Sequence, residues 1–378
     1  MSGRIDARSR LNRLARTAAA LLAAAAMASL GGCADLGYLW QSTTGHLRLL
    51  HAARPVERVL AEPTLSPELH ERLLLSQRLR NYAVAALHLP DNASYRRYAD
   101  LGRNAAVWNV VAAPELSLTS QTWCFPVVGC VAYRGYYDRA EAQAEADELA
   151  TQGLDVSVYG VPAYSTLGKL PPLDWFADPL LNTFVTRYSE VELARLIFHE
   201  LSHQVAFAAG DTTFNESFAT AVERIGSAQW VAAQPAAEQQ RLRALSKRAD
   251  ARQADFQRLA RGLRDELAAL YAEPVSDTDK RARKAAAIAR LRAAHAVLKA
   301  GDAVADPAGN WVGYSGYDGW FADINNARLA VLAAYNAQVP DFERLYARQG
   351  RDWPRFFAEV RRLADLPAAE RNRALSAP

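Results

Sequence analysis

The chain has 378 residues, 50% of them hydrophobic and 22% charged, the usage of a globular protein with one large domain or two ordinary ones. Its formal net charge of +3 comes from the first 32 residues, where Arg4, Arg8, Arg10, Arg13 and Arg16 stand against Asp6. The remainder is close to neutral, which leaves no electrostatic case for nucleic-acid binding.

The Arg-rich start is followed by an apolar run from Thr17 to Leu30, too short to span a bilayer but suited to a signal-peptide core. The run ends in Leu30-Gly31-Gly32-Cys33, which resembles the bacterial lipobox. That resemblance implies a lipoprotein signal peptide over residues 1–32 and Cys33 as the first mature residue, acylated on its sulfur and its new amino group. Several acyl chains would anchor the protein stably to a membrane. Ala34 rather than Asp follows Cys33. By resemblance to Gram-negative lipoproteins, the expected location is the outer membrane, facing the periplasm. An exported chain meets an oxidising compartment, so Cys124 and Cys130 are expected to pair as a structural disulfide.

Residues 33–105 are expected to form an N-terminal helical region. Leu-rich stretches near 47–50, 73–79 and 83–89 recur at helical spacing, punctuated by Pro55, Pro63, Pro67 and Pro90. His46, His51, His70 and His88 are scattered through it and read as surface or packing residues. Val107 to Val111 and Val127 to Tyr133 predict strands. Asp138-Arg139-Ala140-Glu141 opens a helix that runs to Gly153, and Leu154 to Val161 alternates as a strand. Strand, helix, strand implies a crossover unit in a small mixed sheet. After a Pro-containing loop over 168–188, two further helices complete a core spanning 106–232. Residues 233–300 are polar and rich in Ala, Arg, Glu and Leu, with an interruption at 274–279. They predict a long antiparallel helical hairpin, either a solvated element packed on the domain or an arm for a protein partner. Residues 301–321 are rich in Gly and aromatics, and 322–366 return to amphipathic helix broken at Pro340 and Gly350 to Pro354, so 301–378 reads as a C-terminal helical region packing on the core. The fold class is α+β, mostly helical.

The chemistry sits in His199-Glu200-Leu201-Ser202-His203. Ser189-Glu190-Val191-Glu192 has the pattern of a capping box, so a helix should begin there and stop at Gly210. On that helix His199 and His203 project from one face, one turn apart. Two imidazoles so placed can bind one zinc ion at about 2.0–2.1 Å. Glu200 lies about 100° around the helix. It is placed to reach a water at the open coordination position and to pass its proton to a leaving amine. A second helix, signalled by Thr212 or Thr213, carries Glu216, 13 positions after His203. A tight turn could bring the Glu216 carboxylate to the ion as third ligand. Thr213-x-x-Glu216 is also a capping box, in which Glu216 would only hold a backbone amide. Glu223, seven residues on, shares nearly the same face. It is either a hydrogen-bond acceptor for a ligand imidazole or a surface charge.

These residues with Asn215-Glu216-Ser217-Phe218-Ala219 resemble the gluzincin pattern of zinc metallopeptidases. The segment is similar to the Asn-Glu-Gly-Phe-Ala run of one zinc aminopeptidase family, whose Glu is a zinc ligand. The spacing from the His pair is shorter here, and no Gly-x-Met-Glu-Asn motif lies upstream. Most of the chain past Cys33 resembles a family of bacterial lipoproteins called predicted aminopeptidases. The matching segments are Ala113-Pro114-Glu115-Leu116-Ser117, residues 128–136 and 161–168, the zinc motif, and Asn325-Asn326-Ala327-Arg328-Leu329. The resemblance implies a zincin-like core, one Zn²⁺ and a peptide substrate.

The donor for the tetrahedral oxyanion stays open among Tyr164, Tyr314 and Tyr317, while His295 in the hairpin is a poor candidate. Residues 155–165 are a candidate edge for pairing with a substrate backbone. The expected function is zinc-dependent peptide hydrolysis. The alternatives are a non-catalytic zinc-containing envelope scaffold or adaptor, and a zinc endopeptidase or peptidoglycan amidase.

Overall fold

The computed structural model describes residues 33–125, 129–163, 166, 174–332 and 338–377. The signal segment 1–32 and Tyr164 lie outside the described residues. The chain divides into two compact units, one ending at Arg48 and one starting at Leu49. Residues 33–48 of helix α1 (Cys33–Ala52) are the described part of the first. There the Thr43 and Thr44 hydroxyls donate back to the Leu39 and Trp40 carbonyls, each at 2.8 Å. No helix among the described residues is long and apolar enough to cross a membrane.

The second unit opens with β1 (Arg54–Pro55), α2 (Val56–Leu60), α3 (Pro67–Ala85) and β2 (Arg97–Ala99). Ser66 caps α3, accepting the Leu69 N–H, with Pro67 in the first turn where no amide is needed. The stretch 33–105 is therefore not wholly helical. Strand β2 pairs antiparallel with β1 and parallel with the later strand Leu180–Leu181. Arg97 ties that sheet to the chain before it, donating to the Leu50 and Ala53 carbonyls, each at 2.6 Å.

Next come β3 (Val107–Pro114), β4 (Trp123–Phe125), β5 (Gly129–Val131), β6 (Arg134–Tyr136), α4 (Arg139–Thr151) and β7 (Leu154–Val161). Of the stretch 127–133 expected as a strand, only Gly129–Val131 is strand among the described residues, pairing with β4, while residues 127 and 128 lie outside them and β6 begins beyond it at Arg134 in another sheet. Cys124 and Cys130 face each other across β4 and β5 and form a disulfide. The second sheet has the order β6-β3-β7, and β3 is antiparallel to both neighbours. The crossover through α4 therefore joins β6 and β7, which run parallel with β3 inserted between them, and no neighbouring pair in this sheet is parallel. Asp138 caps α4, accepting from the Ala140 and Glu141 amides. The inner strand β3 is apolar apart from buried Asn109, because both faces are covered. Val111 and Ala113 pack on Ala327 and Val331, while α4 buries Ala142, Ala146 and Leu149.

Strand β8 (Leu180–Leu181), the short α5 (Asn182–Val185), α6 (Glu190–Ser202) and α7 (Thr212–Ala232) follow. Helix α6 buries Val191, Ala194, Ile197, Phe198 and Leu201 at helical spacing in the main core, beside Leu73 and Leu79 of α3. Gly226 lets α7 approach closely. A Cβ there would lie 2.7 Å from Leu87 Cδ1 and 3.2 Å from Phe198 Cδ2, both on fully buried side chains. Alanine gains about 1 kcal/mol of helix propensity, but overpacking costs about 1–3 kcal/mol. Gly226→Ala is therefore expected to destabilise by about 1 kcal/mol in urea unfolding. An unchanged or raised midpoint would disprove the close fit.

Helices α8 (Ala236–Ala272) and α9 (Asp277–Lys299) form the long hairpin, with Ser276 capping the second arm. Leu263, Leu267 and Leu291 on their facing sides join Trp311, Phe321 and Leu329 in a core of their own. Helices α10 (Asp318–Ala322), α11 (Asn326–Leu332), α12 (Val339–Arg348), α13 (Trp353–Ala364) and α14 (Ala368–Ser376) complete the chain. Pro340 and Pro354 open helices rather than break them, each in a first turn. Phe342, Phe356 and Phe357 pack around Phe218 of α7. The result is mostly helical with small sheets.

Candidate metal centre

Helix α6 starts at a complete capping box: Ser189 Oγ accepts the Glu192 N–H at 3.3 Å, and Glu192 accepts the Ser189 N–H at 3.0 Å. It ends at Ser202 and not at Gly210. Beyond it the Val205 N–H returns to the Ser202 carbonyl at 2.9 Å, which tightens the chain out of the α-helix. Gly210, at φ +76°, serves the turn before α7 instead. A Cβ on Gly129 would sit 3.1 Å from the Gly210 nitrogen, so the backbone of the disulfide hairpin rests on this turn.

Asp211 caps α7, where Thr212 or Thr213 was expected: one of its oxygens accepts the Phe214 N–H at 3.0 Å. Buried Asn215 closes the turn from inside, accepting the Ala208 N–H and donating to the Ala208 carbonyl, each at 2.8 Å. With Asp211 in the cap, Glu216 is not held by the amide of Thr213. Its carboxylate turns to both imidazoles.

Glu216 Oε2 lies 3.3 Å from His199 Nε2, and Oε1 lies 3.9 Å from His203 Nε2. One ligand atom from each residue falls within 4.8 Å of the others. Four atoms held tetrahedrally at 2.0–2.1 Å from zinc stand about 3.3–3.4 Å apart, so the two Glu216 approaches are near that spacing and the widest pair has to close by no more than about 1.4 Å. Three protein ligands are the complement of a site that keeps one position open.

Glu223 Oε2 is 2.9 Å from His199 Nδ1. A carboxylate only accepts, so Nδ1 carries the proton and Nε2 faces Glu216. Burial opposes charge on His199, but its hydrogen bonds to Glu216 and Glu223 outweigh that and push the imidazole pKa well up. A cation at Nε2 competes with that proton. Burial pushes His203 down to about 4, which keeps a neutral imidazole ready for a metal. Its Nδ1 has no hydrogen-bond partner among the described residues. Burial would raise the Glu216 carboxyl, but the hydrogen bond to His199 and the charge of both imidazoles hold it low. Glu223→Gln keeps an acceptor for Nδ1 and loses the charge. It is expected to weaken zinc binding about tenfold in chelator competition with little change in unfolding midpoint. Wild-type affinity in this variant would leave Glu223 as a surface charge.

Glu200 differs from the other acids. Its carboxylate takes no hydrogen bond among the described residues. Burial pushes it up to about 7, with His199 pulling it back and Glu216 and Asp178 adding to the rise.

The aromatic residues sort differently from expectation. Tyr314 and Tyr317 belong to the hairpin core, where Tyr317 stacks on Phe256 at 4.4 Å and Arg252 lies over Tyr314 at 4.0 Å. His295 stacks on Phe321 at 4.0 Å in the same cluster. Two tyrosines not singled out from sequence interact with the site. Tyr159 of β7 hydrogen-bonds Asn109 and feels the charge of Glu216. Tyr95 is buried, its hydroxyl has no partner among the described residues, it sits at φ +63°, and it feels Glu200 and Asp178. Strand alternation across β7 was a signal for Tyr159; nothing local pointed to Tyr95.

A family profile described as "Putative aminopeptidase" matches residues 37–375. No curated protein and no solved structure matches the chain.

Proposed function

Because the chain belongs to the putative aminopeptidase family, we propose that it hydrolyses peptides with one zinc ion held by His199, His203 and Glu216, in a gluzincin-like, zincin-like core. The observation that carries this reading is the approach of the Glu216 carboxylate to both Nε2 atoms, at 3.3 and 3.9 Å, from a helix capped by another residue. Zinc, when bound, supplies a Lewis acid for the scissile carbonyl and lowers the pKa of water.

The chain's own residues supply the rest. Glu223 holds the His199 ring through Nδ1 and so fixes which nitrogen faces the centre. Glu200, half-buried and without a hydrogen bond among the described residues, takes the proton of the attacking water and hands it to the departing amine. The three-ligand set favours this over a structural zinc scaffold, whose site would be closed by four protein ligands.

The location is part of the proposal. The Arg-rich start, the apolar run and Leu30-Gly31-Gly32-Cys33 support acylation at Cys33 and an outer-membrane anchor facing the periplasm.

The reading is tested by metal analysis of purified residues 34–378 and digestion of an unbiased peptide library read by mass spectrometry. One zinc per chain and cleavage adjacent to free amino termini are the expected results. Cleavage at internal bonds only would keep the chemistry and remove the amine-end specificity. Absence of bound zinc after zinc-replete preparation would overturn the proposal.

A further inference from the structure

The last helix reaches the turn that presents Glu216. Arg371 of α14 is 5% exposed, and its Nη2 and Nε donate to one oxygen of Asp211, at 2.8 and 3.1 Å. Its Nη1 donates to the Ala364 and Leu366 carbonyls at 3.1 and 2.9 Å, and the guanidinium lies 5.2 Å over the Phe214 ring. The guanidinium is thereby fixed at both ends. The other Asp211 oxygen accepts the Phe214 N–H, so the carboxylate divides its two oxygens between the helix start and the arginine. The Asp211 N–H donates to the Ala208 carbonyl, and the Asn215 N–H donates to the Asp211 carbonyl.

We infer that Arg371 is a positioning residue for the metal centre. Through Asp211 it sets the first turn of α7 and thus the carboxylate of Glu216. This rests on the zinc reading above. A buried ion pair is a poor device for stability alone, since apolar residues of like volume often serve as well or better. What the planar fork adds is direction, because two N–H donors on one oxygen fix how the carboxylate is turned. That direction matters at Asp211, five residues before a ligand, with Asn215 clamping the same turn from the inside. The contact joins positions 160 apart in sequence, so the C-terminal helix tunes a centre built from residues 199–216.

The test is a double-mutant cycle read in zinc affinity, on the full chain past Cys33 and at a temperature where every variant is folded. Asp211→Asn keeps an oxygen for the Phe214 N–H and loses the charge that holds the fork. Arg371→Lys keeps the charge and loses the fork. Each single variant is expected to weaken zinc binding about tenfold in chelator competition, and the double variant no further, because both break one link. Should Arg371→Lys fail to fold, Arg371→Gln takes its place in the cycle. Single variants within about threefold of wild type, or effects that multiply in the double, would overturn the inference. If the wild-type chain itself binds no zinc, it is the underlying reading that fails. A role confined to stability would lower the unfolding midpoint of every variant and leave the zinc dissociation constants together.

Discussion

Glu200→Gln should abolish peptide cleavage while the chain still holds one zinc ion. The amide matches the carboxylate in shape but cannot accept a proton, and a positioned general base contributes about 10²–10⁴-fold. The metal should be untouched, because Glu200 is not among the three residues whose ligand atoms converge, and among the described residues it makes no hydrogen bond that the substitution would break. A second readout separates the catalytic role from damage. Burial raises the Glu200 carboxyl to about 7, so in the metal-free chain the folded state keeps a proton that the unfolded state has already released. Stability therefore falls as pH rises from the usual carboxylate range to about 7 and is flat with respect to this group above that. The Gln variant lacks that loss. Without metal it should be more stable than wild type at pH 8, by a margin that disappears toward pH 4. A variant that keeps a tenth or more of wild-type turnover, or one that loses its zinc, would remove Glu200 from the role of base.

What was legible in the sequence was what a single turn of helix or a single strand decides. The spacing of His199 and His203, the Ser189 box and the strand Leu154–Val161 depend on neighbours a few residues away, and each has its pattern in the chain. The caps and turns between elements were less legible, because several residues competed for one place. Asp211, Thr212 and Thr213 can all cap a helix. Asp211 does so where its second oxygen also meets Arg371, 160 positions on. Gly210 suits a helix end equally well, but tight bonding after Ser202 ends α6 first, and the glycine serves the next turn. Strands β1, β2 and β8 have two or three residues each and no alternation to read; they exist because distant segments meet. The tyrosines near the centre follow the same rule. Tyr159 owes its place to the pairing of β7 with β3, and Tyr95 to a loop gathered by buried Arg80, which takes the Pro90, Asn92 and Ser94 carbonyls.

Removal of the third ligand should be the most damaging change to the metal itself. Structural zinc sites of four ligands bind with about 10–16 kcal/mol, so one ligand accounts for roughly 3–4 kcal/mol, or about 10²–10³-fold in affinity. Glu216→Gln should weaken zinc by that factor and abolish cleavage at ordinary zinc concentrations. The fold should survive, because the start of α7 is held by Asp211 and Asn215 and not by Glu216. This also decides between the two roles open to Glu216 in the sequence. A capping residue replaced by Gln would still accept an amide, so zinc affinity would be unchanged. A ligand loses its charge, and the metal leaves. Glu216→Asp is the finer probe. It keeps the charge but draws the carboxylate back by one methylene, opening the approaches of 3.3 and 3.9 Å to His199 and His203. If the centre depends on distance as well as charge, the Asp variant should fall between wild type and Gln. Zinc held equally well by all three would leave the His pair without a third partner at this position.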